Sequence, residues 1–118
     1  MRFFRSFIHA FSGLRQACLH EKNFRIQLLI ALITIIAGFL FSITNTEWLI
    51  VLICCGMVLS LEMMNSSLES LCDFNCTTIH PTIKRIKDMA AAAVLIASAT
   101  SAITGCLIFT PYVVALFH

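Results

Sequence analysis

Residues 26–43 read IQLLIALITIIAGFLFSI, eighteen consecutive positions without a charged side chain. The hydrocarbon core of a bilayer takes about 20 apolar residues of helix, so this stretch predicts a first transmembrane helix. The whole chain agrees with it. Of its 118 residues 59% are hydrophobic and only 12% charged, whereas a soluble domain carries about 25% charged residues. A chain this short cannot hide so much apolar side chain in a private core. One membrane domain over residues 1–118 is expected, all-α.

Outward from that run, the pattern gives three more elements. Residues 2–19, RFFRSFIHAFSGLRQACL, place Phe3, Phe4, Phe7, Ile8, Phe11 and Leu14 at helical spacing, with Arg2, Arg5, Ser6, Ser12 and Arg15 largely on other faces. That is an amphipathic helix suited to the membrane interface. After a polar turn at Thr44-Asn45-Thr46-Glu47, WLIVLICCGMVLSL (48–61) begins a second span, with Trp48 at interfacial depth. The span is placed at 48–64, and its helix continues without a breaker to about Asp73. Residues 74–83, with Asn75, Thr77, Thr78 and Pro81, read as a loop, and a helix starts over Lys84 to Asp88. Residues 89–109, MAAAAVLIASATSAITGCLIF, form the third span. Its Ala, Ser and Gly let backbones approach closely, which places it at the centre of a bundle and suggests self-association.

Charge gives the orientation. With three spans, the N-terminus and the 74–88 segment share one side. All eight basic residues lie there: Arg2, Arg5, Arg15, Lys22, Arg25, Lys84, Arg85 and Lys87. By the positive-inside rule that side is cytoplasmic. The net charge of +2 is too small to argue for nucleic acid. The six cysteines form no metal pattern: Cys54 and Cys55 sit inside an apolar run, and Cys72 and Cys76 lack a paired His. The first long apolar run begins only at Ile26, too far in for a cleaved secretory signal.

The carboxylates carry the chemistry. Glu62, Asn65, Glu69 and Asp73 fall on one helical stripe. Glu62 is the deepest and abuts the apolar run, where a carboxylate is costly and reads as functional. A solvated polar face beyond the membrane is the plainer alternative, most of all for Asp73. Glu21 stands just before the first span, and Lys87 and Asp88 just before the third. Grouped carboxylates suit Mg²⁺, which also bridges phosphates, and nearby cations suit the phosphates themselves. Phosphoryl transfer needs those parts and a base. Lys87 and Asp88 alone also fit a snorkelling helix cap. Neither GxxxxGK[ST] nor GxGxxG occurs, so a nucleotide site here must be built from helix side chains. His80 beside Pro81 is a further candidate nucleotide contact. Three thin helices cannot enclose both a nucleotide and a lipid, so sites between subunits of a homo-oligomer are expected.

Glu62-Met-Met-Asn65-Ser-Ser-Leu-Glu69-Ser-Leu-Cys-Asp73 resembles the E-x-x-N-[ST]-x-[IL]-E-x-x-x-D signature of the small bacterial diacylglycerol kinase and undecaprenol kinase family. Glu21 with Asn23-Phe24-Arg25 resembles its E-x-x-F-[RQ] element. Lys87-Asp88-Met-Ala-Ala-Ala-Ala-Val94 resembles its K-D-x-x-[AS]-A-A-V element. The resemblance implies a homotrimeric bundle of three-span subunits in the bacterial cytoplasmic membrane, with shared sites at the cytoplasmic face. It implies Glu62 as the general base, Glu21 and Glu69 as Mg²⁺ ligands with ATP, and Lys87 and Asp88 as nucleotide contacts. Asn65, Asp73, Asn23 and Trp48 would support the site or the substrate. Arg2 and His9 fall where the family contacts ATP. Ser67 and Cys72 occupy positions that are more often apolar in the family.

The implied reaction transfers phosphate from ATP to a membrane lipid alcohol. Arg2 to Ala10, Glu47-Trp48 and His80-Pro81 resemble the Gram-positive undecaprenol kinase branch, and diacylglycerol is the alternative substrate. An ion channel or transporter subunit would recur in polar groups through its spans, but 26–43 and 89–109 carry no charge. A purely structural membrane subunit would leave Glu62 unexplained.

Overall fold

The structure is a computed structural model that describes residues 2–75, 78 and 80–118. Four helices account for nearly all of them: α1 (Arg2–His20), α2 (Lys22–Phe41), α3 (Asn45–Asn75) and α4 (Pro81–Leu116). Among the described residues there is no strand. Helices satisfy their own backbone hydrogen bonds, which lipid cannot do for them. α2, α3 and α4 are each long and apolar enough to cross a membrane. At about 1.5 Å per residue the 20 residues of α2 reach about 30 Å, one hydrocarbon core.

The helices run past several of the expected boundaries. α2 ends at Phe41, because Ser42 takes a left-handed backbone (φ 52). The Ser42 N–H then donates to the Phe39 carbonyl and the Ile43 N–H to that of Gly38, the paired bonds of a Schellman stop. The expected turn at 44–47 is instead the start of α3. The Thr44 N–H donates to Glu47 Oε1 at 2.9 Å and the Glu47 N–H to Thr44 Oγ1 at 3.2 Å. This is a reciprocal capping box, so Thr44 opens the helix. The loop expected at 74–83 is shorter at both ends, and its Cys76, Thr77 and Ile79 lie outside the described residues. α4 starts at Pro81, whose fixed φ suits the first helical position, with the His80 Nδ1 accepting from the Thr82 N–H at 3.1 Å. It then continues beyond 109 through Pro111, which lacks a backbone donor and crowds the carbonyl of Leu107.

Within one chain α3, not α4, is the central helix. It packs against both α2 and α4, while α1 packs on α2. Ala90, Ala93, Ala97, Ser101 and Gly105 of α4 are half-buried where it packs on α3, while Ala91, Ala92, Ala99 and Ala102 are exposed. α1 presents its aromatic face openly, with Phe3 71% and Phe11 67% exposed, and buries only Ala17. That is the expected form of a helix whose partner is a bilayer surface.

The end away from the basic residues is closed by fitted contacts. Trp48 lies so tightly on Gly38 that a Cβ there would sit 2.7 Å from its ring, and it also meets Phe39. The Tyr112 hydroxyl donates to Glu47 Oε1, tying the end of α4 to the start of α3. Phe41 packs against Phe109 and Tyr112. Ile43, Val51 and Ile108 form a small core beside them. These contacts hold the spans in antiparallel order, so that the opposite ends meet again at the basic side.

Candidate active site

Three helix ends converge on that side: the start of α2, the end of α3 and the start of α4. The α1–α2 elbow comes first. Glu21 is the N-cap of α2, with extended backbone and no capping bond from its side chain. Its carboxylate is therefore not used by its own helix. Phe24, one turn on, is 1% exposed and is the largest fully buried side chain. It anchors the start of α2, while neighbouring Asn23 is exposed.

The stripe on α3 faces inward where the sequence placed it. Glu62 is 4% and Asn65 7% exposed, Glu69 is half-buried and Asp73 exposed. Ser66, absent from the sequence-based set, is 8% exposed. Its position beside Asn65 on the same face was the available signal. Glu21 and Glu69 both lie close enough to repel a charge on Glu62. Glu62 and Glu69 on α3 and Glu21 at the start of α2 thus lie at the same end of the bundle, at the lip of the apolar span.

The buried Asn65 Oδ1 has no hydrogen-bond partner. A buried acceptor without a donor is costly and rare. Oxygen donors from Glu21, Glu69 and Asn65 fit a hard divalent cation that takes only oxygen ligands. Among the described residues no three His, Cys, Asp or Glu side chains already stand at metal-binding geometry, so side-chain rearrangement or oxygens from a substrate must complete such a site.

α4 supplies the cation. Lys87 Nζ lies 2.8 Å from Asp73 Oδ1, and its charge also acts on Glu69. The pair joins the end of α3 to the start of α4. Asp88 points elsewhere: it pairs with Lys84 at 2.7 Å, both well exposed. With Pro81, Arg85 and Met89 these two line a shallow depression of about 400 Å³. Lys87 and Asp88 therefore sit on different faces of α4. The departures at Ser67 and Cys72 are harmless. The exposed Ser67 hydroxyl donates to the Met63 carbonyl, and Cys72, 6% exposed, packs as a small apolar group.

Other expected residues stand apart from the cluster. Arg2 and His9 are exposed on α1. His80 caps α4 through Nδ1, which leaves Nε2 for any other contact. Trp48 stands fourteen positions before Glu62, about 21 Å away along the helix. Beneath the cluster, α2, α3 and α4 enclose a largely apolar groove of about 690 Å³, lined by residues such as Ala31, Val58, Gly105 and Ile108. Val58, one turn deeper than Glu62, is the lining residue of α3 nearest to it.

Residues 8–109 match the family described as prokaryotic diacylglycerol kinase. The undecaprenol kinase of Bacillus subtilis is 38% identical over 110 residues, covering 93% of this chain and 89% of its own length. A diacylglycerol kinase of Helicobacter pylori is 34% identical over 116 residues, covering 98% and 88%. The diacylglycerol kinase of Escherichia coli K12 is 28% identical over 100 residues, covering 85% and 82%.

The orphaned Asn65 acceptor gives a direct test. Asn65→Leu should keep or raise the thermal midpoint of the metal-free protein, because an unpaired buried group costs about 1–3 kcal/mol. If Asn65 Oδ1 is a cation donor, Mg²⁺ should raise the midpoint of the wild type and not that of the variant. Thermal melts with and without Mg²⁺ measure both. A lower midpoint with full Mg²⁺ stabilisation would show that Oδ1 is not a cation donor.

Proposed function

The chain belongs to the prokaryotic diacylglycerol kinase family and is a multi-pass membrane lipid kinase, and from that premise we propose that it phosphorylates undecaprenol with Mg·ATP at the cytoplasmic face of the bacterial inner membrane. The observation that carries the reading is Glu62, a carboxylate 4% exposed at the lip of an apolar span, with two more carboxylates and an unpaired amide oxygen around it. A carboxylate at that depth stands where a lipid hydroxyl at the interface can reach it, the position a general base needs.

In the proposed reaction the lipid hydroxyl comes to Glu62 from the membrane side, and its tail lies along the groove under Val58. Glu62 accepts the hydroxyl proton as the oxygen attacks the γ-phosphorus and the bond to ADP breaks. Glu21 and Glu69 hold the metal, with Asn65 as a further oxygen donor. Bound there, Mg²⁺ would neutralise charge on the β- and γ-phosphates. Lys87 supplies a cation at the phosphate side, exchanging Asp73 for phosphate oxygen. Lys84, Arg85 and Asp88 offer the base or ribose a polar surface, with Arg2, His9 and His80 as outer contacts. Asn23 and Trp48 support the lipid side at its two ends. α4 packs on α3 along one side and leaves its other side exposed, which supports a homotrimer whose neighbouring helices close each site.

The likeness to the Bacillus subtilis undecaprenol kinase supports the lipid assigned. Diacylglycerol is the second reading, favoured by the Helicobacter pylori relative that covers 98% of the chain. Purified protein given labelled ATP and each lipid separately decides between them. Label should pass preferentially to undecaprenol; a strong preference for diacylglycerol overturns the choice. The metal assignment has its own test in Glu21→Gln. This variant should need at least about tenfold more Mg²⁺ for half-maximal rate, by analogy with the loss from disturbing metal-site residues. An unchanged Mg²⁺ dependence would remove Glu21 from the ligand set.

A further inference from the structure

Arg25 stands four residues after Glu21, and its side chain turns back across the elbow. Its Nη1 donates to the carbonyls of Cys18 at 3.1 Å and Leu19 at 3.0 Å. These belong to the last turn of α1, where carbonyls have no partner inside the helix. A cation there also meets the negative end of the α1 dipole. The backbone completes the joint: the Glu21 N–H donates to the Ala17 carbonyl at 3.0 Å, and the Arg25 N–H to the Glu21 carbonyl at 3.2 Å. Ala17 and Phe24 are buried on either side. Glu21 is the single residue between α1 and α2, held through its backbone while its carboxylate stays uncommitted.

No other side chain bonds the last carbonyls of α1 among the described residues. Without that bond, α1 would be held to α2 mainly through Ala17, its one buried residue, while its aromatic face follows the membrane surface. The direction in which Glu21 leaves the elbow would then move with α1. We propose that Arg25 is a positioning residue for the kinase reaction: by clamping the last turn of α1 it fixes the elbow and aims the Glu21 carboxylate at the Glu62 cluster. The two hydrogen bonds are the clamp, and the charge adds only the dipole interaction to it. It couples the membrane-facing helix to the metal end of the site.

This inference rests on Glu21 as a metal ligand, and the Glu21→Gln measurement tests that assignment separately. The clamp itself is tested with Arg25→Met, which keeps the apolar stem and removes the donors, and Arg25→Gln, which keeps a donor without charge. Two quantities are read on the full-length protein in membranes: amide hydrogen exchange over residues 17–25, and the apparent KM for Mg·ATP against kcat. Arg25→Met should speed exchange in the elbow and raise KM by about tenfold or more, the size of effect seen when a metal ligand loses its outer support. Arg25→Gln should stay near wild type in both. Elbow exchange unchanged in Arg25→Met overturns the clamp. Faster exchange with an unchanged KM overturns its link to Glu21. Equal impairment in both variants overturns the donor role and makes Arg25 a charge acting on phosphate.

Discussion

Lipid offers a backbone no hydrogen bonds, and that constraint shapes everything else in this chain. The spans must be helices, their side chains must be apolar, and any polar chemistry must collect where the lipid stops. With three spans in antiparallel order, one membrane face receives the start of α2, the end of α3 and the start of α4. Each end brings its own polar group: Glu21, the Glu62–Asp73 stripe, and Lys87. The opposite face has no such group to offer, and its polar residues serve as fasteners. Glu47 caps α3 and receives the Tyr112 hydroxyl.

The site's position was legible because a carboxylate beside an apolar run is easy to notice and expensive to keep. The spacing of Glu62, Asn65 and Glu69 alone put them on one face, and the structure buries that face. Helix ends were read less well. The polarity of Thr44-Asn45-Thr46-Glu47 predicts a turn, whereas the same residues spell a capping box whose reciprocal hydrogen bonds start a helix. The third span is expected over 89–109, and its helix continues to Leu116. The outward direction of Asp88 was hidden, because it depends on which partner Lys84 chooses. Arg25 was visible only as part of a motif, since its hydrogen bonds go to two backbone carbonyls that no pattern of side chains reveals.

Several residues that resemble the undecaprenol kinase branch do architectural work. Glu47 and Trp48 secure the far ends of α2, α3 and α4, and His80 with Pro81 starts α4. Their link to the lipid is therefore indirect, through the shape of the groove between the spans. The elbow has a different relation to the site. It is where the surface helix, the first span and the Glu21 carboxylate meet within a few residues, so under the proposed function membrane contact and phosphate chemistry would share one joint.

The central claim is that the buried Glu62 carboxylate takes the lipid hydroxyl proton. Glu62→Gln keeps the volume and hydrogen-bonding reach of the side chain but cannot act as that base. Single-turnover transfer of labelled phosphate from ATP to undecaprenol, in protein whose thermal midpoint is checked in parallel, measures the difference. The account predicts transfer slowed by about 10²–10⁴-fold with a midpoint equal to or above wild type, because a buried carboxylate has been relieved. Transfer at the wild-type rate would contradict it.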